Sequence, residues 1–501
     1  MEPVSKTEIK TEIMSPNAVT GFNAESSTPL YVDMDGTLLA TDILWEMLVL
    51  LAKNRPMLLL RAPFWLIKGK AYFKRQLASH VVINPAGLPY REPVLSFLAE
   101  ERQKGRNLIL ATASDSLVAQ SVARHVGLFS TVLASDGAVN LAGDAKLRAI
   151  LHHADGAGFD YAGDSWVDLP IWRQASHAIV VKPSRRLLKK VDQESTIQTV
   201  LAPRRRSIGV YLRLLRVQQW SKNVLLFVPL LLAHQFMDHR RLLSALLAFV
   251  AFSLGASAVY IVNDLLDLES DRQHPHKRSR PLAAGLVPIP TALAIALLAV
   301  TVSFGIAVAL LPWLFVGIML LYQGTAAAYT FAFKRIAILD VLILAGLYTA
   351  RVLAGAVATD VRVSHWFLAF ALFFFMSLAI VKRYSELGLV GGNGGPEGFL
   401  AARGYELGDR DFIGSIGAAS AYVAVAVFAL YISSPDVHLL YQRPSALWLI
   451  IPILLYWVTR TWFLAHRGKM HGDPVVFALT DRTSYLLAVL IACILLIASL
   501  T

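Results

Sequence analysis

Asn263-Asp264-Leu265-Leu266-Asp267-Leu268-Glu269-Ser270-Asp271-Arg272, running on as QHPHKRSRPLAAG to Gly285, decides how this chain is read. It follows the apolar run LLSALLAFVAFSLGASAVYIV, which is long enough to cross a bilayer. Asp264, Asp267 and Asp271 are spaced by three and four, so a continuous helix would present all three on one face, with Asn263 at its edge. Carboxylates ~6 Å apart at an effective dielectric of ~20 repel by roughly 3 kcal/mol per pair. A hard divalent cation offsets that best, and magnesium shares its remaining positions with phosphate oxygens. Lys277, Arg278 and Arg280 follow at once, as a diphosphate leaving group would need. The competing reading is a solvated charged loop at the end of a membrane helix.

Composition sets the frame. The 501 residues are 55% hydrophobic and 16% charged, with a mean hydropathy of +0.53. That is too apolar for an ordinary soluble chain. The apolar residues concentrate after Trp220, which predicts a soluble N-terminal domain followed by an all-α polytopic membrane domain. The formal net charge of +12 is explained by Lys and Arg in inner loops. No aromatic–basic interleave or zinc spacing supports nucleic-acid binding. The single cysteine, Cys493, excludes a disulfide framework.

Residues 1–28 are polar and carry no signal-peptide core, so a disordered tail is expected there. Order begins at the strand Pro29–Val32, which leads into Asp33-Met34-Asp35-Gly36-Thr37. Two acids two apart at a strand end, with a glycine for the tight turn, form the first part of a phosphate-handling pattern. A second apolar strand, Asn107–Ala111, ends at Thr112, with Ser114 as a rival hydroxyl. Gly143-Asp144-Ala145-Lys146 opens a helix, and Phe159–Ala162 leads into Gly163-Asp164-Ser165-Trp166-Val167-Asp168.

These four motifs, in order, resemble the haloacid dehalogenase (HAD) superfamily, which implies a Rossmann-like α/β domain over residues 29–183. The resemblance assigns Asp33 as nucleophile and Asp35 as general acid and base. It places Thr112 and Lys146 on the phosphoryl oxygens, and Asp33, Asp164 and Asp168 on Mg2+. Between the first two motifs, Asp42–His80 reads as a helical cap rather than a membrane span, because Lys53, Arg55, Pro56, Arg61 and Pro63 interrupt it. Its apolar face and flanking cations suit a membrane surface or a lipid substrate. Residues 184–212, with SRRLLKK and PRRR, read as a basic linker against anionic headgroups.

About nine apolar segments follow within 213–501, centred near Val228, Phe252, Val300, Leu321, Leu347, Phe373, Val423, Leu454 and Leu490. With a cytoplasmic N-terminus, the loops after the even-numbered segments are inside and collect the Lys and Arg, including Arg403. This predicts a multi-pass protein of the inner (cytoplasmic) membrane, with the hydrolase domain and the motif loops facing the cytoplasm.

The aspartate stretch resembles the first motif of the UbiA superfamily of intramembrane prenyltransferases, and HPHKRSRPLAAG its decaprenyl-phosphate phosphoribosyltransferase branch. Arg216–Asn223, Lys334-Arg335 with Asp340, Lys382-Arg383-Tyr384-Ser385-Glu386-Leu387, Asp473-Pro474 and Asp481-Arg482 are similar to other motifs of that branch. Aromatic prenyltransferases of the superfamily carry a second acidic motif where this chain has KRYSEL. A basic loop there suits a phosphate, held by Lys382, Arg383 and Tyr384, and Lys334 is a further substrate-binding candidate. The resemblance implies Mg2+ at Asp264, Asp267 and Asp271, assisted by Asn263. It implies phosphoribosyl pyrophosphate as donor, a polyprenyl phosphate as acceptor, and cell-envelope glycolipid synthesis as the setting. Transfer from a prenyl diphosphate remains the alternative, and a transporter or scaffold carrying a phosphatase is a further one. Homo-oligomerisation stays open. Arg351 lies within an apolar segment, where a charge is costly, and its partner is not legible.

Overall fold

A computed structural model describes residues 28–201, 207–275, 277–393, 404–435, 437, 441–470, 474–478 and 480–499. The expected tail up to residue 27, the PRRR run from 203, His276, Arg403 and Asp473 lie outside the described residues. The chain forms two compact units, one drawn mainly from residues up to Arg205 and one mainly from Arg206 onward.

The first unit is a six-stranded parallel sheet in the order β3-β2-β1-β4-β5-β6. Its strands are β1 Leu30–Val32, β2 Leu108–Asp115, β3 Thr131–Ser135, β4 Asp160–Gly163, β5 Ala178–Val181 and β6 Ile197–Leu201. The helices in this part of the chain are α1 Ile43–Asn54, which groups with the second unit from Leu48 on, α2 Ala62–Ile67, α3 Lys70–His80, α4 Glu92–Gln103, α5 Ser116–Val126, α6 Asp144–Ala154, α7 Leu169–Trp172 and α8 Arg185–Glu194. β1, β4 and β5 are buried throughout, as a parallel sheet covered on both faces requires. Leu30 pairs with Leu108 on one side and Asp160 on the other, so β1, β2 and β4 end side by side. The strand order reverses beside β1, which places a crevice at these carboxyl ends.

The segment expected as a basic linker is partly core. In α8, Leu187 and Val191 are buried while the arginines and lysines face outward. β6 completes the sheet by pairing along β5. Helix α9, Ile208–Leu214, comes after the sheet.

In the second unit, seven helices among the described residues are long and apolar enough to cross a membrane. They are α11 His239–Leu266, α13 Ile289–Leu310, α15 Leu339–Thr359, α16 His365–Asn393, α17 Arg410–Ile432, α18 Ile450–His466 and α19 Arg482–Ser499. An eighth, α14 Trp313–Phe331, has 19 residues and is diluted by Gln323 and its Thr and Tyr residues. The ninth expected segment, near Val228, is no single long helix. It is a 3-10 stretch, Val217–Phe227, followed by the five-residue α10 Val228–Leu232 with Pro229 near its start. This stretch packs tightly on α15, where a Cβ at Gly355 would stand 2.0 Å from the Leu226 carbonyl oxygen.

The aspartate stretch bends as well. α11 ends at Leu266, Asp267 is the junction, and α12 runs Leu268–Gln273, so the three acids do not share one continuous helix.

Candidate active sites

In the sheet domain, the strand ends converge on Asp33, which is 7% exposed. Its amide donates to the Ala162 carbonyl at 2.9 Å, fixing it between β2 and β4. Lys146, on the first turn of α6, donates to Asp33 at 2.7 Å and to the Tyr161 hydroxyl at 3.0 Å. Tyr161 donates in turn to Asp168 at 2.8 Å. The other Asp168 oxygen accepts from the Asp164 and Ser165 amides and the Ser165 hydroxyl. Asp33, Asp164 and Asp168 each offer an oxygen within 4.8 Å of the others, the spacing one divalent ion needs. Gly36 has φ +80°, and a Cβ there would come within 2.3 Å of an Asp164 oxygen. The glycine of the first motif is therefore demanded by conformation and by space.

Electrostatics agree with this geometry. Burial, with Asp168 adding to it and Lys146 opposing it, pushes Asp33 up to about 6. Burial and the Asp33 and Asp168 charges push Asp164 up to about 8. Burial opposes charge on Lys146, yet Asp33 and Asp168 hold its ammonium above its ordinary value. Burial, then Asp42 and Asp33, move Asp35 up to about 7. A carboxyl poised there can donate and then accept a proton near neutrality. The Ile43 amide and the Ser114 hydroxyl hold it at 2.8 Å and 2.6 Å.

Thr112 is fully buried and its hydroxyl accepts from the Ser114 amide at 3.1 Å, so the two rival hydroxyls have separate tasks. Sequence reading missed Lys74 of α3, which donates to the Ala113 carbonyl at 2.6 Å and to Asn140 at 3.0 Å. Burial lowers its pKa, against Asp35 and Asp42. Its place in the cap, 39 residues from Ala113, leaves no sequence signal.

In the membrane domain, Asp264 and Asp271 are both buried and meet at one group. The same Arg280 nitrogen lies 3.0 Å from Asp264 and 2.5 Å from Asp271. Arg216, also missed as a partner, pairs with Asp264 and lies 4.9 Å from the centroid of the Tyr260 ring. Asp267, at the bend, is not part of this contact. Asn263 donates to Thr330 at 3.2 Å and lines a cavity of about 160 Å³ with Lys222, Tyr260, Tyr322, Tyr329, Tyr348 and Arg351. The partners of Arg351 are now visible. It donates to Asn223 at 2.8 Å, to the Leu347 carbonyl at 3.0 Å and to the Tyr322 hydroxyl.

The KRYSEL stretch differs from expectation, since it lies within α16 rather than in a loop. Arg383 is buried and saturated by Asp340 at 2.6 Å, by Glu386, and by the Tyr329 hydroxyl at 3.1 Å. Tyr384 bonds His466 at 3.0 Å and carries Arg410 over its ring. Both are engaged within the protein, so a phosphate-holding role is not what their contacts display. Lys382 is half-buried on the same helix, and Lys334 is half-buried in the short 3-10 turn Phe333–Arg335. Lys277 and Arg278 lie in the turn that leads to Arg280.

An α/β unit with a phosphohydrolase-type acid cluster, joined in one chain to a bundle of membrane-length helices with buried aspartates at a helix end, defines a two-domain membrane enzyme. Residues 30–173 match the family model of haloacid dehalogenase-like hydrolases, and residues 224–386 match that of the UbiA prenyltransferase family. The protein y4nM of Sinorhizobium fredii is 37% identical over 93% of this chain and 90% of its own length. Nodulation protein NoeC of Azorhizobium caulinodans is 35% identical over 55% of this chain and 88% of its own. Decaprenyl-phosphate phosphoribosyltransferase of Mycobacterium tuberculosis is 32% identical over 58% of this chain and 94% of its own. The chain belongs to the UbiA prenyltransferase family and carries a haloacid dehalogenase-like hydrolase domain before the transferase domain. It is an integral membrane protein.

Proposed function

We propose that the membrane domain transfers a 5-phosphoribosyl group from phosphoribosyl pyrophosphate to a polyprenyl phosphate, and that the hydrolase domain removes the 5-phosphate of the lipid-linked product. The observation that carries this reading is the match along 94% of a decaprenyl-phosphate phosphoribosyltransferase. The local geometry supports it, because Asp264 and Asp271 already converge on a positive charge. Asp264 and Asp271, which share one Arg280 nitrogen, are the residues that would hold a divalent cation once that arginine is drawn away. When bound, the cation would neutralise these carboxylates and the donor's diphosphate oxygens.

The residues then have defined tasks. The incoming diphosphate draws Arg280 and Arg216 from the aspartates, with Lys277 and Arg278 beside it. The bond from the sugar C1 to the diphosphate oxygen breaks, and pyrophosphate leaves with the electron pair. Positive charge spreads over C1 and the ring oxygen until a lipid phosphate oxygen forms the new bond. Lys334 and Lys382 are the cations we assign to phosphate positioning near the acceptor. In the hydrolase domain, an Asp33 oxygen attacks the phosphorus while Asp35 gives its proton to the departing sugar oxygen. Asp35 then takes a proton from the water that attacks the aspartyl-phosphate, releasing inorganic phosphate. Lys146 and Thr112 hold the phosphoryl oxygens. A cation on Asp33, Asp164 and Asp168 would supply charge neutralisation. Both sites belong on the cytoplasmic face in this reading.

Prenyl transfer from a prenyl diphosphate is the second reading. The tyrosines of the cavity beside Asn263 favour it, since an aromatic wall suits an apolar or aromatic group. The two readings separate in one experiment. Purified protein is incubated with Mg2+, labelled phosphoribosyl pyrophosphate and a polyprenyl phosphate, and organic-phase label is counted. Label that vanishes in Asp264→Ala, and that keeps its 5-phosphate in Asp33→Asn, is the expected result. No lipid-borne label with any chain length, alongside turnover of a prenyl diphosphate, would replace the first reading with the second.

A further inference from the structure

One segment between the first two hydrolase motifs plays no role in the chemistry above. From Pro56 to Ile67 the chain reads PMLLLRAPFWLI and folds as a 3-10 turn running into α2. Its large side chains mostly avoid the core. Met57 is 79% exposed, Leu60 71%, Phe64 68%, Leu66 50% and Ile67 82%. Trp65 alone is buried in this element, stacked on His80. Single exposed apolar residues need no explanation. Five within one short element form a patch that a soluble surface does not ordinarily tolerate.

Along the chain, the charges on either side of this patch have one sign. No Asp or Glu occurs between Glu46 and Glu92, while Lys53, Arg55, Arg61, Lys68, Lys70, Lys74, Arg75 and Arg91 do. Of these, Lys53, Arg55, Arg61, Lys68 and Lys70 flank or interrupt the apolar tip and are exposed. An apolar tip ringed by cations and lacking acids is complementary to an anionic lipid surface. At 12 residues it is too short to span a bilayer, so it suits the interface.

We propose that Pro56–Ile67 is a bilayer-entering tip, with Met57, Leu60, Phe64 and Ile67 among the acyl chains and the five flanking cations at lipid phosphates. The hydrolase domain then works at the membrane surface on a phosphomonoester carried by a lipid of that leaflet. α3 begins three residues beyond the tip and holds Lys74 against the Ala113 carbonyl beside the second motif, so tip and site are joined by one short helix. Only the identity of the substrate rests on the proposed function, whereas the lipid contact stands without it.

Two measurements on the full chain in phosphatidylglycerol vesicles test this. In the first, bimane is attached at Phe64→Cys in a Cys493→Ala background. Quenching by spin-labelled acyl chains, with protection from aqueous iodide, is expected. Free quenching by iodide and none by the lipid labels would overturn the proposal, whatever the transferase substrate proves to be. In the second, Leu60→Asp/Phe64→Asp/Ile67→Asp is compared with the parent on two substrates. The expected result is at least a tenfold lower kcat/KM on vesicle-borne phosphoribosyl lipid, with hydrolysis of p-nitrophenyl phosphate unchanged. Equal loss on both substrates would indicate a folding defect of the cap and overturn the assignment of a lipid-docking role.

Discussion

The two acidic clusters of this molecule handle charge in opposite ways. In the hydrolase domain, Asp33, Asp164 and Asp168 stand together against two cations, Lys146 beside Asp33 and Asp168, and Arg91 acting on Asp164. In the membrane domain, Asp264 and Asp271 are matched by Arg216 and Arg280. The first cluster has an excess of carboxylate and attracts a cation by itself. The second is balanced until a substrate brings phosphate charge and competes for the arginines. A burial cost of several kcal/mol per unpaired ion accounts for the pairing inside the bundle. The sheet domain keeps its excess in place because the buried carboxyls hold protons, Asp33 up to about 6 and Asp164 up to about 8. One site is therefore expected to bind cations alone, and the other only together with a diphosphate.

Crossed substitutions give the largest effect. Asp33→Asn, which removes the proposed nucleophile, should lower phosphatase turnover by at least ~10³-fold and leave transfer intact. Asp264→Ala should do the reverse. Loss of both activities in either variant would break the picture of two independent sites. The next effect is on stability. Arg383→Met leaves Asp340 buried and unpaired and should cost about 3–5 kcal/mol, read as a lower unfolding temperature in detergent. A variant that unfolds normally but has a raised KM for the acceptor would return Arg383 to the phosphate-binding role expected from the sequence.

The cation comes third. Asp33 and Asp164 titrate near 6 and 8 in the folded protein, both above the ordinary carboxyl value. Between pH ~4 and ~8 the folded state therefore holds protons that the unfolded chain has released, and stability falls as pH rises through that window. Magnesium should flatten this decline, adding about 2.7 kcal/mol at a hundredfold excess over its dissociation constant. Scanning calorimetry from pH 5 to 8 with and without Mg2+ checks this, and Asp164→Asn should abolish the difference. A metal-dependent shift that persists in Asp164→Asn but disappears in Asp264→Ala would invert the contrast between the clusters.

That the hydrolase motifs converge could be read from the sequence, because each of the clustered groups sits at a strand end or helix start with its own local motif. Asp33, Lys146 and Asp164 are far apart in sequence, yet each is announced by its neighbours. The membrane site was legible only in part. Spacing identified Asp264 and Asp271, but the bend at Asp267 and the Arg216 partnership depend on packing. The Arg351–Asn223 pair is separated by 128 residues and Arg383–Asp340 by 43, distances over which no local pattern carries information. Arg383 and Tyr384 looked like part of a phosphate cradle because a basic cluster has the same sequence whether its partner is a ligand or a group inside the protein.

The smallest expected effect tests the boundary where reading by charge failed. The run SRRLLKK suggested a linker because five of its seven residues are polar or basic. In the structure one of its leucines matters more, since Leu187 turns inward and, with Val191 one turn later, seats α8 on the sheet. Ser184 caps that helix, its hydroxyl accepting from the Leu187 amide at 3.1 Å. Ser184→Ala should cost about 1 kcal/mol of hydrolase-domain stability, the usual loss for an N-cap. A free linker would show no change, because a cap on a helix that packs against nothing stabilises nothing cooperative. A measurable loss in urea unfolding, with the transferase activity unaffected, would place the end of the hydrolase domain after β6. An unchanged midpoint would return residues 184–201 to the role of tether.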